Sequence, residues 1–171
     1  MTPPAHARHY EMTVDVSAPM GAVFDHVDDV ARLATHMEKS SAMMLGGRMA
    51  YQFDAAKGRA TGSVIRMTGG ILGLNLSVEE VVIVRDPPRR KTWETRGVAR
   101  LLIIGGYQMG FEIDSSGAAA SRLRVFIDYW PATGTMGRIA GSVLASAYAR
   151  WCVRRMAEDT RRHFLNQEAG A

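Results

Sequence analysis

The chain has 171 residues, 47% of them apolar and 22% charged, with a formal charge of +4. That length suits a single hydrophobic core, and the composition excludes intrinsic disorder. The basic excess is modest, almost all of it arginine, and comes without zinc-finger, RNP or helix-turn-helix spacing, so nucleic-acid binding is disfavoured. Cys152 is the only cysteine, which excludes an intramolecular disulfide and a cysteine zinc cluster. The opening "MTPPAHARHYEM" lacks an apolar run of signal-peptide length, and no stretch reaches the ~20 apolar residues of a membrane span. The expectation is a cytoplasmic protein with no transmembrane segment.

Residues 1–8 show no periodicity and read as a flexible end, as do 168–171, leaving one domain over 9–167. From His9, Tyr10, Met12, Val14 and Val16 alternate with polar residues, the pattern of a half-buried strand. Ser17 then stands as a helix cap and Pro19 in the first helical turn. Val23, Phe24, Val27 and Val30 predict a short helix with an apolar stripe, and Leu33 with Met37 a second one. Asp25, Asp28 and Asp29 beside His26 look at first like an acid/base or metal cluster. With Val23, Phe24 and Val27 inward, however, the aspartates are expected on a solvated face, and the spacing matches no metal motif.

From about Ala42 to Tyr129, six strand-like segments alternate with short turns such as "DAAKG", "DPP" and "DSSGAA", which predicts an antiparallel meander. In "YQMGFEI" Tyr107, Met109, Phe111 and Ile113 share a face, and in "LRVFIDY" Leu123, Val125, Ile127 and Tyr129 do. Thr135 to about Gln167 then reads as one long helix. Thr135 caps it, Ile139, Val143, Ala147, Arg150 or Trp151, Val153, Ala157 and Phe164 form its buried stripe, and Arg154–Glu158, Arg155–Asp159 and Glu158–Arg162 lie on its wet face. The order is β-α-α-β6-α.

The stretches "VDVSAPMGAVFDHVDDVARLATHM", "VEEVVIVRDPPRRKTWETRG" and "RLRVFIDYWPATGTMGRIAG" together resemble the START-like, or SRPBCC, superfamily of polyketide cyclases, dehydratases and lipid-transfer proteins. The resemblance runs from about His9 to Asn166. It departs where many relatives carry a tryptophan and a proline after the acidic turn and this chain has "ATHM". It implies an α+β helix-grip fold: a seven-stranded antiparallel curved sheet wrapped around the C-terminal helix, with a cavity between them.

On that expectation the ligand is a small hydrophobic or amphipathic molecule, such as a lipid, polyketide, isoprenoid or aromatic compound. Met67, Trp93, Tyr107, Met109, Phe111 and Tyr129 are its candidate contacts. Methionines, here also Met43, Met44 and Met49, suit varied ligand shapes. A cyclase or dehydratase acting in the same cavity is the alternative. It needs an inward ionisable group, for which Glu80, sharing parity with Val82 and Val84, and His36, near the expected cavity mouth, are the candidates; Glu112 is expected on the opposite face. A third reading is an interaction module using the basic last helix against an acidic partner or membrane surface. No cofactor or metal is expected, Cys152 reads as a buried helix residue, and a homodimer is left open.

Overall fold

The structure is a computed structural model that describes residues 7–33, 48–71, 74–101, 103–131 and 140–168. Strand β1 (Arg8–Val16) leads into helices α1 (Met20–Val27) and α2 (Val30–Leu33). Six strands follow: β2 (Arg48–Phe53), β3 (Val64–Ile71), β4 (Leu74–Asp86), β5 (Arg90–Arg100), β6 (Ile104–Gly117) and β7 (Ala120–Pro131). Helix α3 (Ala140–Glu168) ends the chain. The strands form one antiparallel sheet in the order β1-β7-β6-β5-β4-β3-β2. The meander therefore runs strand to neighbouring strand from β2 to β7, and only β1 joins across the length of the chain.

The period-two faces expected in β6 and β7 are the inner faces. Met109, Phe111, Ile113, Leu123, Val125, Ile127 and Tyr129 are all buried. Helix α3 packs against them from above, most closely over β1 and β7. The outer face is polar and ionic, with Arg124 bonded to Glu11 and Glu112 and Arg122 to Asp15. Two glycines let aromatic rings cross that outer face. A Cβ at Gly106 would lie 2.4 Å from the Trp130 ring, and one at Gly110 would lie 2.6 Å from the Lys91 carbonyl and 2.8 Å from Phe126. Each ring lies opposite the glycine it covers in the β6–β7 register, so glycine here makes room for a cross-strand partner.

Three expectations are corrected. Ser17 does not cap α1; Pro19 occupies that position in an extended conformation and no side chain caps the helix. Proline fixes its own φ and biases the residue before it toward extended backbone, so the chain cannot turn helical earlier. The buried stripe of α3 begins on Ala145, Ala149, Cys152 and Val153, whereas Val143 is 66% exposed and Ala147 also faces water. Small alanines let the helix approach the sheet closely, and a pattern search weighted toward larger apolar residues rotates the stripe. Arg155–Asp159 and Glu158–Arg162 pair as expected, while Arg154 donates to the Tyr10 hydroxyl at 3.1 Å. Thr135 and Ile139 lie outside the described residues.

The third correction concerns the aspartates. Asp25 is exposed, and Asp29 is partly so, bonded to Arg32 and Arg59. Asp28 is only 3% exposed. Four residues after Phe24, it continues the inward stripe, and its carboxylate meets Lys91 Nζ at 2.8 Å and Arg85 Nη2 at 2.8 Å. Lys91 also donates to the Asp28 carbonyl at 2.9 Å. Burial pushes the Asp28 carboxyl up, but the Arg85 and Lys91 bonds outweigh it and hold it below its ordinary range.

Candidate functional site

The central strands place the site. Inner positions of β4 carry Val78, Glu80 and Val82; those of β5 carry Lys91, Trp93 and Thr95; β6 contributes Tyr107 and Met109. Register sets Glu80 opposite Thr95 and Ile65, Val82 opposite Trp93, and Trp93 opposite Met109. The inward parity expected for Glu80 is what the strand delivers, and its side chain is 4% exposed. Glu112, of the other parity, lies on the outer face with Arg124.

Glu80 is not left bare. The Tyr107 hydroxyl donates to its Oε1 in a short hydrogen bond, and the Trp93 indole donates to the same carboxyl. Tyr107 is itself fixed at the backbone, where its N–H donates to Thr95 Oγ1 at 3.0 Å. Desolvation nevertheless dominates: it pushes the Glu80 carboxyl up to about 7 against the Tyr107 and Trp93 bonds and the attraction of Lys91. A carboxyl in that range can give or take a proton near neutrality.

Helix α3 adds a second polar pair. Tyr148 donates to the Cys152 thiol one helical turn on, and burial pushes that thiol up to about 12, so it stays protonated. Tyr148 lies within electrostatic range of Glu80 and Tyr107, as Tyr51 of β2 does of Tyr107. These polar groups occupy a seam. One apolar cluster, with Phe24, Trp93, Phe111 and Val153, fills the β1–β7 side of the molecule; a smaller one, with Val30, Ile65, Met67 and Val78, fills the β3–β4 side. Tyr107, Tyr148 and Trp151 pack against both.

The candidate residues separate accordingly. Glu80, Trp93 and Tyr107 come together in the seam, and Met67 borders it in the smaller cluster. Met109 and Phe111 sit in the larger cluster, where Phe111 packs edge-on against Phe24 and Trp93. Tyr129 is 3% exposed and donates to Ser146 Oγ at 3.0 Å, tying β7 to the start of α3. His36, Met43 and Met44 lie outside the described residues, as does the side chain of Met49.

Sequence reasoning missed Lys91, which shares inward parity with Trp93 and Thr95, and that parity was the available signal. It missed Tyr148 too, whose four-residue spacing from the buried Cys152 puts both on one helix face.

Away from the seam, a concavity of about 430 Å³ opens at the surface between α1 and the end of α3. His26 stacks there on His163, ring centroids 4.0 Å apart, against the edge of Phe164. Burial, with His163 and Arg32 nearby, pushes His26 down to about 4. The hollow is open to solvent, and its Asp29 is already bonded to Arg32 and Arg59. Among the described residues no group of three metal-ligating side chains converges, here or in the seam. The same residues contain no helix long and apolar enough to cross a membrane.

Comparison with solved structures identifies the architecture. A Streptomyces aromatase/cyclase superposes with a TM-score of 0.64 at 16% identity, covering 92% of this chain and 95% of that one. A major latex-like protein of Panax ginseng gives 0.55 at 11% identity, covering 91% and 97%. A norcoclaurine synthase of Thalictrum, held with a transition-state analogue, gives 0.52 at 13% identity, covering 87% and 96%. The shared architecture is the helix-grip fold: a seven-stranded antiparallel sheet with a long C-terminal helix against its inner face. No protein-family model and no curated protein sequence matches the chain.

Proposed function

We propose that this helix-grip domain binds a small amphipathic molecule between the inner face of its sheet and α3, with the polar end of the ligand at Glu80 and Tyr107. One observation carries the reading: a buried carboxyl with two neutral donors stands where two apolar clusters meet. Burying such a group costs several kcal/mol unless it is fully compensated, and a purely structural core does better with an apolar residue. A ligand supplies the reason to keep it. Apolar area leaving water provides most of the affinity, at about 25 cal/mol per Å², and Glu80 with Tyr107 and Trp93 sets orientation. The aromatase/cyclase and the synthase with its transition-state analogue place enzymes on this fold, which is compatible with the reading without deciding it.

Titrating the protein with fluorescent lipids and aromatic compounds tests the proposal. Saturable one-site binding that weakens at least tenfold when Met67 is replaced by the charged residue of Met67→Asp is the expected result. Absence of saturable binding across the panel overturns it.

A second reading is favoured by the Glu80 carboxyl alone: a group pushed up to about 7 and hydrogen-bonded to a phenol suits acid/base work on an enclosed substrate, as in a cyclase or dehydratase. Under that reading Glu80→Gln abolishes turnover of any substrate found while leaving its binding intact.

A further inference from the structure

We propose that the molecule held at Glu80 carries a protonated amine, which makes the seam a site for cationic amphiphiles and not for fatty acids or other anions; this rests on the ligand-binding reading above. The argument is an inventory of protons. Tyr107 gives its hydroxyl proton to Glu80, Trp93 gives its indole proton to the same carboxyl, and Tyr148 gives its proton to Cys152. Thr95 Oγ1 accepts the Tyr107 N–H. Neither Tyr107 nor Tyr148 thus has a proton to offer a ligand, and once ionised Glu80 offers negative charge.

The positive charge of the interior is committed elsewhere. Among the described residues Lys91 is the one buried cation, and its ammonium is bound to both the carboxylate and the carbonyl of Asp28. It attracts Glu80 from a distance without hydrogen-bonding it in this arrangement, so burial still outweighs it. The donors that reach Glu80 favour its charged form, while among the described residues no cation bonds to it. An ammonium supplies that charge with three donors. Trp93 from β5, Tyr107 from β6 and Tyr148 from α3 add aromatic surface in the same cluster, which also favours a cation. A carboxylate headgroup would face Glu80 and hold it protonated, and an alcohol brings one donor and no charge.

Binding moves one proton. Glu80 that is protonated in the free protein releases its proton to solvent as the ammonium arrives, about half a proton per site at pH 7, and affinity for the amine falls toward tenfold per pH unit well below that. The full-length protein is titrated by calorimetry with dodecylamine, dodecanol and dodecanoic acid, and with phenethylamine, phenethyl alcohol and phenylacetic acid. The amine of at least one series binds tenfold or more tighter than its alcohol, with the acid weakest and with proton release that varies between buffers as stated. Glu80→Gln brings the amine to the alcohol's affinity. Tyr107→Phe, which keeps the carboxyl but removes its donor, moves the pH at which amine affinity is lost upward. Alcohols or acids that bind saturably and at least as tightly as the amines overturn the amine inference and leave the ligand-binding reading standing. Glu80→Gln that keeps the amine preference overturns it likewise, and failure of every compound to bind overturns both.

Discussion

Among the buried carboxylates of the described residues, Asp28 and Glu80 are driven in opposite directions by their surroundings. Asp28, at the joint between α1 and α2, meets a lysine and an arginine, and its carboxyl is held down. Glu80, on β4, meets a phenol and an indole, and its carboxyl is pushed up to about 7. Burial acts in the same direction on both, so the difference lies in whether a cation completes the contact. At Asp28 the charge is spent inside the fold, clamping the helix pair onto β4 and β5. At Glu80 it is not spent, and the capacity to bind a charge or move a proton is left over for something outside the chain.

The largest effect that can break this comparison is at the clamp. Asp28→Asn leaves Lys91 buried without its counter-charge and should cost about 3–5 kcal/mol of unfolding free energy in urea at pH 7. A loss under about 1 kcal/mol would mean the ion cluster does not hold the joint. The sign with pH follows from the lowered carboxyl: the contribution of Asp28 is present above its ordinary value of 3.8 and is lost as pH falls below it. The variant therefore flattens the acid limb of the stability curve.

Glu80→Gln should run the other way. A carboxyl raised from 4.5 to about 7 binds its proton more tightly folded than unfolded, so its contribution is full below 4.5 and drains away as pH rises to about 7. The difference in stability between wild type and Glu80→Gln should thus fall by about 3 kcal/mol across that window. His26, pushed down to about 4, makes wild-type stability rise with pH in the same range, which is why the difference curve and not the wild-type curve is the measurement. A flat difference would erase the contrast with Asp28.

Smaller effects sharpen the picture. Tyr107→Phe should cost about 1 kcal/mol and shift the Glu80 window to higher pH, since it removes one donor to the charged form. Arg66→Ala breaks an ion pair with Glu79 on the solvent side of β3 and β4, with the Arg66 side chain 62% exposed. Its expected cost is within about 0.5 kcal/mol, and a larger one would mean that the outer-face ion pairs, and not only the buried cluster, carry stability.

Period-two alternation made the inner faces of β6 and β7 legible, because a residue on a strand has only two sides to choose from. The same parity placed Glu80 inward from its relation to Val82. Asp28 was hidden by its charge: a carboxylate reads as solvated until its counter-ions are known, and those come from β4 and β5, 57 and 63 residues away. Helix α3 was found as a helix but misread in its first turns, because Ala145 and Ala149 bury a close contact while Val143 points to water. Tyr148 and Cys152 could be put on one face by spacing, but that this face meets Glu80 depends on how the helix docks, which no local pattern encodes.

The most direct test follows the Glu80 carboxyl itself by carbon-detected NMR of glutamate-labelled protein, with Glu80→Gln to assign its signal, in the presence and absence of dodecylamine. A midpoint near about 7 in the free protein that drops on adding the amine is the predicted result. A midpoint near the ordinary 4.5, unmoved by the amine, would contradict it.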